Sequence, residues 1–393
     1  MKNDKKTNRK KFVFPAAVGV AAVWFGSHAG AGFATGRQEV EFFVQFGWSA
    51  FWVGMFAMLV MGIAIYNGLE FARLHDTHDY RSFFKKLYTP SGTILPLFHL
   101  QTILPVLWDL LYIYATILGA GVAIAGASDL IRQALNIPYV IAVFFTASIL
   151  LIFTIFGAGL VRTASTGMSI FIIAALLIVT ILGIKLSSAN FALVVSKKIS
   201  TASYTKILWM ALLYGAFQSV LIAPIVSVSA VLKTRKSTFL TALYGFLING
   251  SMLTLVCIML LSFFPAIVNE NLPVYFVTTQ LGHKWVNALY SLTLFFALVS
   301  TGVCLIFGVV KRFETVWTKG SGIFKNLRVK RMTICLTCIV ISAGISFFGL
   351  TAIVAKGYGS LGIFSIFLNI IPLLFIAPLK NRKARKLHDG NSV

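Results

Sequence analysis

The chain has 393 residues, 58% of them apolar and 11% charged, with a formal net charge of +23. At this length such a composition excludes a soluble enzyme and fits a polytopic membrane protein. The positive charge does not point to nucleic acid, because nearly all Lys and Arg residues lie between apolar runs, where they set orientation in a bilayer.

The chain opens on a basic segment, 1–11. Followed by an apolar run and Ala29-Gly30-Ala31, it imitates a secretory signal. Cleavage there would leave nine spans, so the segment is read as a cytoplasmic tail. A spanning helix needs about 20 mainly apolar residues. Ten segments qualify: 12–34, 48–70, 97–127, 138–158, 166–187, 206–232, 238–264, 285–310, 332–355 and 357–379.

The first of these holds the most unusual stretch, Trp24–Arg37 (W-F-G-S-H-A-G-A-G-F-A-T-G-R). Gly26, Gly30, Gly32 and Gly36 each weaken a helix by roughly 1 kcal/mol relative to alanine, and Ser27, His28 and Thr35 lie between them. Freed backbone groups at membrane depth are tolerated only where they line a protein cavity. The reading is therefore an interrupted helix of the kind at which transporters bind substrates and ions. A G-x-x-x-G packing face is the competing reading, and it leaves His28 unexplained. His28 is read as a proton carrier or as a donor to freed carbonyls. Arg37, Glu39 and Glu41 read as gate or vestibule charges near the outer mouth, or as solvated outer-face residues.

Residues 71–89 carry apolar side chains at helical spacing with charges between them, which predicts an interfacial helix. In the third span, Asp109 is read as the one acidic residue well inside a span, where a carboxylate costs about 2.5–3.5 kcal/mol. A proton relay, a cation ligand and a structural carboxyl all remain open for it. The 265–284 connection is read as a short helix over an outer vestibule or an ordinary loop. In span six, Pro224 disrupts a helix interior by about 3 kcal/mol, with Gln218, Ser219, Ser227 and Ser229 around it. Interrupted segments at corresponding places in two halves mark a transporter site. Five spans per half is an odd number, so the halves, 12–187 and 206–379, form an inverted repeat; a second basic tail, 380–393, follows. With both termini inside, 26 of the 34 basic residues face the cytoplasm, and the Asn190–Ser203 connection lies outside. Cys257, Cys304, Cys335 and Cys338 all fall within spans, so Cys335-x-x-Cys338 reads as two small apolar residues and no disulfide framework is implied.

Ten spans, breaks in the first and sixth, and G-S-H-A-G-A-G-F at Gly26–Phe33 resemble the LeuT fold of the amino acid–polyamine–organocation superfamily. Within it, G-A-G-F-A-T-G followed by Phe42-Phe43 resembles the YkvI-type bacterial membrane proteins. The resemblance implies an all-α membrane protein with spans one and six discontinuous. It implies that Ser27–Gly32 (Ser27, His28, Gly30, Ala31 and Gly32) present N–H groups to a substrate carboxylate, with Tyr112 of Y-I-Y-A-T-I-L-G offering a hydroxyl. Gln218 and Ser219 join this substrate set from span six. The hydroxyls of Ser300 and Thr301 in A-L-V-S-T-G would share a sodium ion with carbonyls of Gly26 and Ala29, and Asp109 joins the ion-coupling set. Phe33 stands where some relatives carry the asparagine of a second sodium site, which argues against two sodium ions.

The function expected is a secondary transporter of a small zwitterionic solute, an amino acid foremost, in a bacterial cell membrane. Sodium or a proton would couple it. A receptor that keeps the pocket without transporting is the rival. No phosphate-binding loop, nucleophile–base set, organic cofactor or nucleic-acid partner is indicated; the bilayer, the solute and the ion are the partners expected.

Overall fold

The computed structural model describes residues 15–89, 100–156, 158–316 and 326–390. The basic tail 1–11, the start of the third predicted span (97–99) and the last residues of the tail 380–393 lie outside the described residues. Among the described residues there is no strand, only an isolated bridge between Gly47 and Ser200.

Helices α1 (Ala16–His28), α2 (Ala31–Thr35) and α3 (Arg37–Phe42) form the interrupted first span. The remaining spans are α4 (Ala50–His75), α6 (Leu100–Leu135), α7 (Tyr139–Phe156), α8 (Ala158–Leu186), α10 and α11 (Tyr204–Gln218 and Ile222–Ser227), α12 (Arg235–Leu261), α14 (Lys284–Val316), α15 (Leu327–Ser346) and the tenth, from Leu350 onward. Short helices α5 (Tyr80–Tyr88), α9 (Ser188–Ser196) and α13 (Pro273–Gln280) lie between them; α16 (Leu350–Ala352), α17 (Gly359–Ser365) and α18 (Ala377–Gly390) are the α-helical parts of the tenth. Eight of these helical stretches are long and apolar enough to cross a membrane by themselves. The interrupted first span, and α8 with the 72° bend into α9, bring the arrangement into line with the ten expected.

Several boundaries differ from the sequence reading for local reasons. The tenth span starts at Leu350, not 357, because Gly349 (φ +82°) takes up the left-handed conformation that stops α15 from continuing. It then widens into π-type turns at Ile353–Tyr358, Ile366–Ile370 and Pro372–Ile376. The interfacial helix is α5, shorter than 71–89. Asp79 starts it by accepting from the N–H groups of Arg81 (3.0 Å) and Ser82 (2.9 Å), and Phe84 stacks on Trp108 of α6 at 4.1 Å. The break in span six is milder than expected. Residues Ser219–Leu221 tighten into a 3-10 turn while the flanking φ and ψ stay right-handed. Pro224 sits inside α11, and its ring disturbs the carbonyl four residues back, at Val220, so the distortion appears there.

The repeat is visible in which helices touch. α1 packs on α12, and α10, its counterpart, packs on α4; α6 packs on α15, and α14 packs on α7. The pairs α4–α12, α6–α14 and α7–α15 join equivalent helices of the two halves. Where α1 meets α12 the approach is close: an added Cβ on Gly245 would lie 2.0 Å from the ring of Trp24. Trp24 is fully buried and cannot give way. Gly245→Ala should therefore destabilise the protein by about 1–3 kcal/mol, read as a lower unfolding temperature in detergent.

Candidate functional site

At the interruption α1 stops in a definite way. The Ala29 N–H still reaches the Phe25 carbonyl (2.8 Å), but Gly30 swings to an extended ψ of −166°, and the next helical bond runs from Ala34 to Gly30 (3.0 Å). The carbonyls of Gly26–Ala29 and the N–H groups of Ala31–Phe33 therefore lose their helical partners. Gly32 leaves room for a neighbour: Gln38 folds back so that its Nε2 lies 1.8 Å from where a Cβ would sit, and a side chain there would displace it.

The freed segment lines a cavity of about 400 Å³. Ser27, His28, Gly30, Ala31, Gly32, Tyr112 and Gln218 of the expected substrate set line it, as do four of the five residues of the expected ion-coupling set, Gly26, Ala29, Ser300 and Thr301. A Cβ on Gly30 would be 3.9 Å from the Thr301 hydroxyl, so the break abuts α14 directly. Phe33, Ile172, Phe217, Leu221, Leu305, Tyr358 and Leu361 give the cavity a largely apolar wall. Among the described residues that line it, none carries a carboxylate, ammonium or guanidinium group.

Two expected residues lie elsewhere. Ser219 is fully buried, donates to the Ala216 carbonyl (2.5 Å) and is not among the lining residues. Asp109 is ion-paired with Arg312, whose guanidinium stacks over Tyr80 at 5.7 Å, and it too lies outside the lining. Nor is it the one acid inside the helices: Glu39, Glu70 and Asp129 are all more deeply buried. Glu70 is held by Arg73 (2.8 Å), Thr238 (3.0 Å) and Arg385 (3.4 Å). The reading of these residues as solvated charges at the outer mouth is overturned for Glu39 and Arg37, whose exposures are 0% and 3%. Arg37 and Glu41 do pair, at 2.9 Å. The i,i+4 spacing of that pair turns Glu39 to the opposite side of α3, away from the one arginine on the helix.

His28 is committed to protein partners rather than to freed carbonyls. The Asn249 amide N–H donates to the Gly245 carbonyl (2.7 Å), so its oxygen faces Nδ1 of His28, 2.7 Å away. Nδ1 is then the protonated nitrogen, and Nε2 accepts from the Tyr214 hydroxyl at 2.9 Å. One ring thus ties the end of α1 to α10 and α12. No local pattern singles out Asn249 or Tyr214, since only the packing of three helices brings them to the break.

One end of the cavity is sealed. Phe217 stacks on Tyr358 at 4.8 Å with 13° between the rings, and Gln218 meets Gln38 at 3.5 Å. Beyond them Arg37 donates to the Val268 and Glu270 carbonyls (2.8 and 3.0 Å), and Val274 of α13 presses on Gly36. Toward the other end, the basic face that carries the start of α1, Gly26 and Cys304 are exposed. Cys257, Cys335 and Cys338 are buried. A membrane-impermeant maleimide applied to the basic face should modify Cys304 before the other three cysteines, as read by mass spectrometry of the intact protein.

No family model matches the chain. A stretch of 43 residues is 54% identical to the uncharacterized membrane protein YkvI of Bacillus subtilis (strain 168), which is 11% of this chain and 11% of that protein's length. Among solved structures, a mutant of the Eremococcus coleocola manganese transporter matches with a TM-score of 0.61 at 12% identity, over 91% of this chain and 78% of that one. MhsT in complex with L-phenylalanine matches with a TM-score of 0.61 at 13% identity, over 93% and 97% of the two chains. What is shared at such identities is architecture: the chain has the LeuT fold, represented among these solved structures by transporters.

Proposed function

We propose that this chain is a secondary transporter of a neutral amino acid with an apolar side chain, working by alternating access in a cell membrane with both termini cytoplasmic. The observation that carries the reading is the broken first span opening onto a cavity walled by apolar and uncharged polar groups. A zwitterion presents a carboxylate to the free N–H groups at Ala31–Phe33 and an ammonium to the free carbonyls at Gly26–Ala29. An apolar side chain would lie among Phe33, Ile172 and Phe217. A cavity of this size holds a solute of that class. The described residues of the wall hold no formal charge to bind a cationic or anionic side chain, and among the described residues no group of three or more His, Cys, Asp or Glu could hold a transition metal.

The coupling ion proposed is one sodium. Carbonyls of Gly26 and Ala29 with hydroxyls of Ser300 and Thr301 make an all-oxygen, neutral donor set suited to a hard monovalent cation. Thr301 lies against the break, and Ser300 at present donates to the Ala297 carbonyl at 3.1 Å. Coupling free energy is reciprocal, so each ligand tightens the other. In a thermal-shift panel, apolar amino acids should stabilise the protein most, and more strongly with sodium. Ser300→Ala with Thr301→Ala should abolish the sodium effect without unfolding the protein. Counterflow of labelled amino acid in proteoliposomes separates transport from sensing, because a sensor binds without exchange.

The orientation has its own check. A cysteine introduced at Ser196, on exposed α9, should react with impermeant thiol reagent in intact cells. Reaction only after permeabilisation would invert the topology.

A further inference from the structure

Glu39 is the buried ionisable group that the transport reading leaves without a role. It lies on α3, directly after Gln38, on the sealed side of the cavity, with an exposure of 0%. Neither carboxyl oxygen has a hydrogen-bond partner among the described residues. The groups that face it come from three other helices: Tyr214 of α10, Cys257 of α12 and Tyr290 of α14. None of them supplies a donor. The Tyr214 hydroxyl donates to His28, and the Tyr290 hydroxyl donates to the Ala34 carbonyl. The tenth span brings Tyr358, which stacks on Phe217, and Lys356, which is exposed. Glu270, in the connection over α3, contributes its carbonyl to Arg37. On α3 itself, Arg37 is taken up by Glu41 and by two carbonyls. An ionised carboxylate placed so, with only its own backbone N–H beside it and no counter-charge among the described residues, is not sustained in an apolar interior; it takes a proton instead.

We propose that Glu39 is a proton-binding site that couples closure of the outer half of the molecule to proton uptake. When the outer half is open, water reaches α3 and the carboxylate is ionised. As Phe217 and Tyr358 close over the cavity and α3 settles against α10, α12 and the tenth span, one carboxylate oxygen takes a proton from the outer water. The closed form is then the protonated one, and alkaline conditions outside oppose closure. The proposal rests on the transporter reading for its consequence, not for the protonation itself, so the two can fail separately.

Infrared spectra of the full-length protein in lipid test the protonation. The wild type at neutral pH should show the C=O stretch of a protonated carboxylic acid shielded from water, and Glu39→Gln should lose it. The chain has only five glutamates, Glu39, Glu41, Glu70, Glu270 and Glu314. Carbon-13 glutamate in the wild type should therefore shift the same band, a reading available even where the glutamine variant does not fold. Absence of the band, with carboxylate stretches in its place, would overturn the proposal. The coupling is read from Cys304 in proteoliposomes with its basic face accessible. The ratio of wild-type to Glu39→Gln modification rates removes the thiol's own ionisation. That ratio should fall as the pH on the sealed side is raised; a ratio indifferent to pH overturns the coupling.

Discussion

Interrupting a helix inside a bilayer frees backbone N–H and C=O groups that no bulk water can reach, and the rest of this molecule is arranged around that requirement. The gap between α1 and α2 is kept open by what surrounds it, not by glycine alone. His28 fastens the end of α1 to Asn249 and Tyr214, and Gln38 fills the space that a side chain at Gly32 would take. α14 closes the far side through Thr301. The freed groups therefore face a cavity instead of lipid. A His28 held in one tautomer by two neutral partners acts here as a tether between helices, which is why proton chemistry is better sought elsewhere.

The two interrupted spans are not equivalent. Span one is unwound at Ala29–Gly30, while span six only tightens at Ser219–Leu221. Extended Gly30 gives span one a true gap, whereas Pro224 removes one donor and leaves the chain right-handed. The backbone groups available to a ligand accordingly come mostly from the first half of the molecule. Span six contributes side chains, with Gln218 and Phe217 at the seal.

Burial of polar side chains divides into satisfied and unsatisfied cases, and the division is informative. Glu70 is as buried as Glu39, yet it is surrounded by two arginines and a threonine that bind α4, α12 and α18 together at the basic face. Asp109 has Arg312. Glu39 has neither kind of partner among the described residues, on the very segment that must move if the sealed side opens.

Much of the architecture was legible in the chain itself. Twenty-residue apolar runs, the concentration of Lys and Arg between alternate runs, and four glycines around His28 determined the helical membrane class and the first break. These are local properties, set by hydrocarbon thickness and backbone sterics, so the sequence alone carries them. The three-dimensional packing decided the rest. It turned Ser219 away from the cavity, gave Asp109 an arginine 203 residues along the chain, and buried Glu39 among three helices. Whether a polar side chain meets water, a ligand or a partner depends on helices brought together from distant parts of the chain, and no local pattern records that.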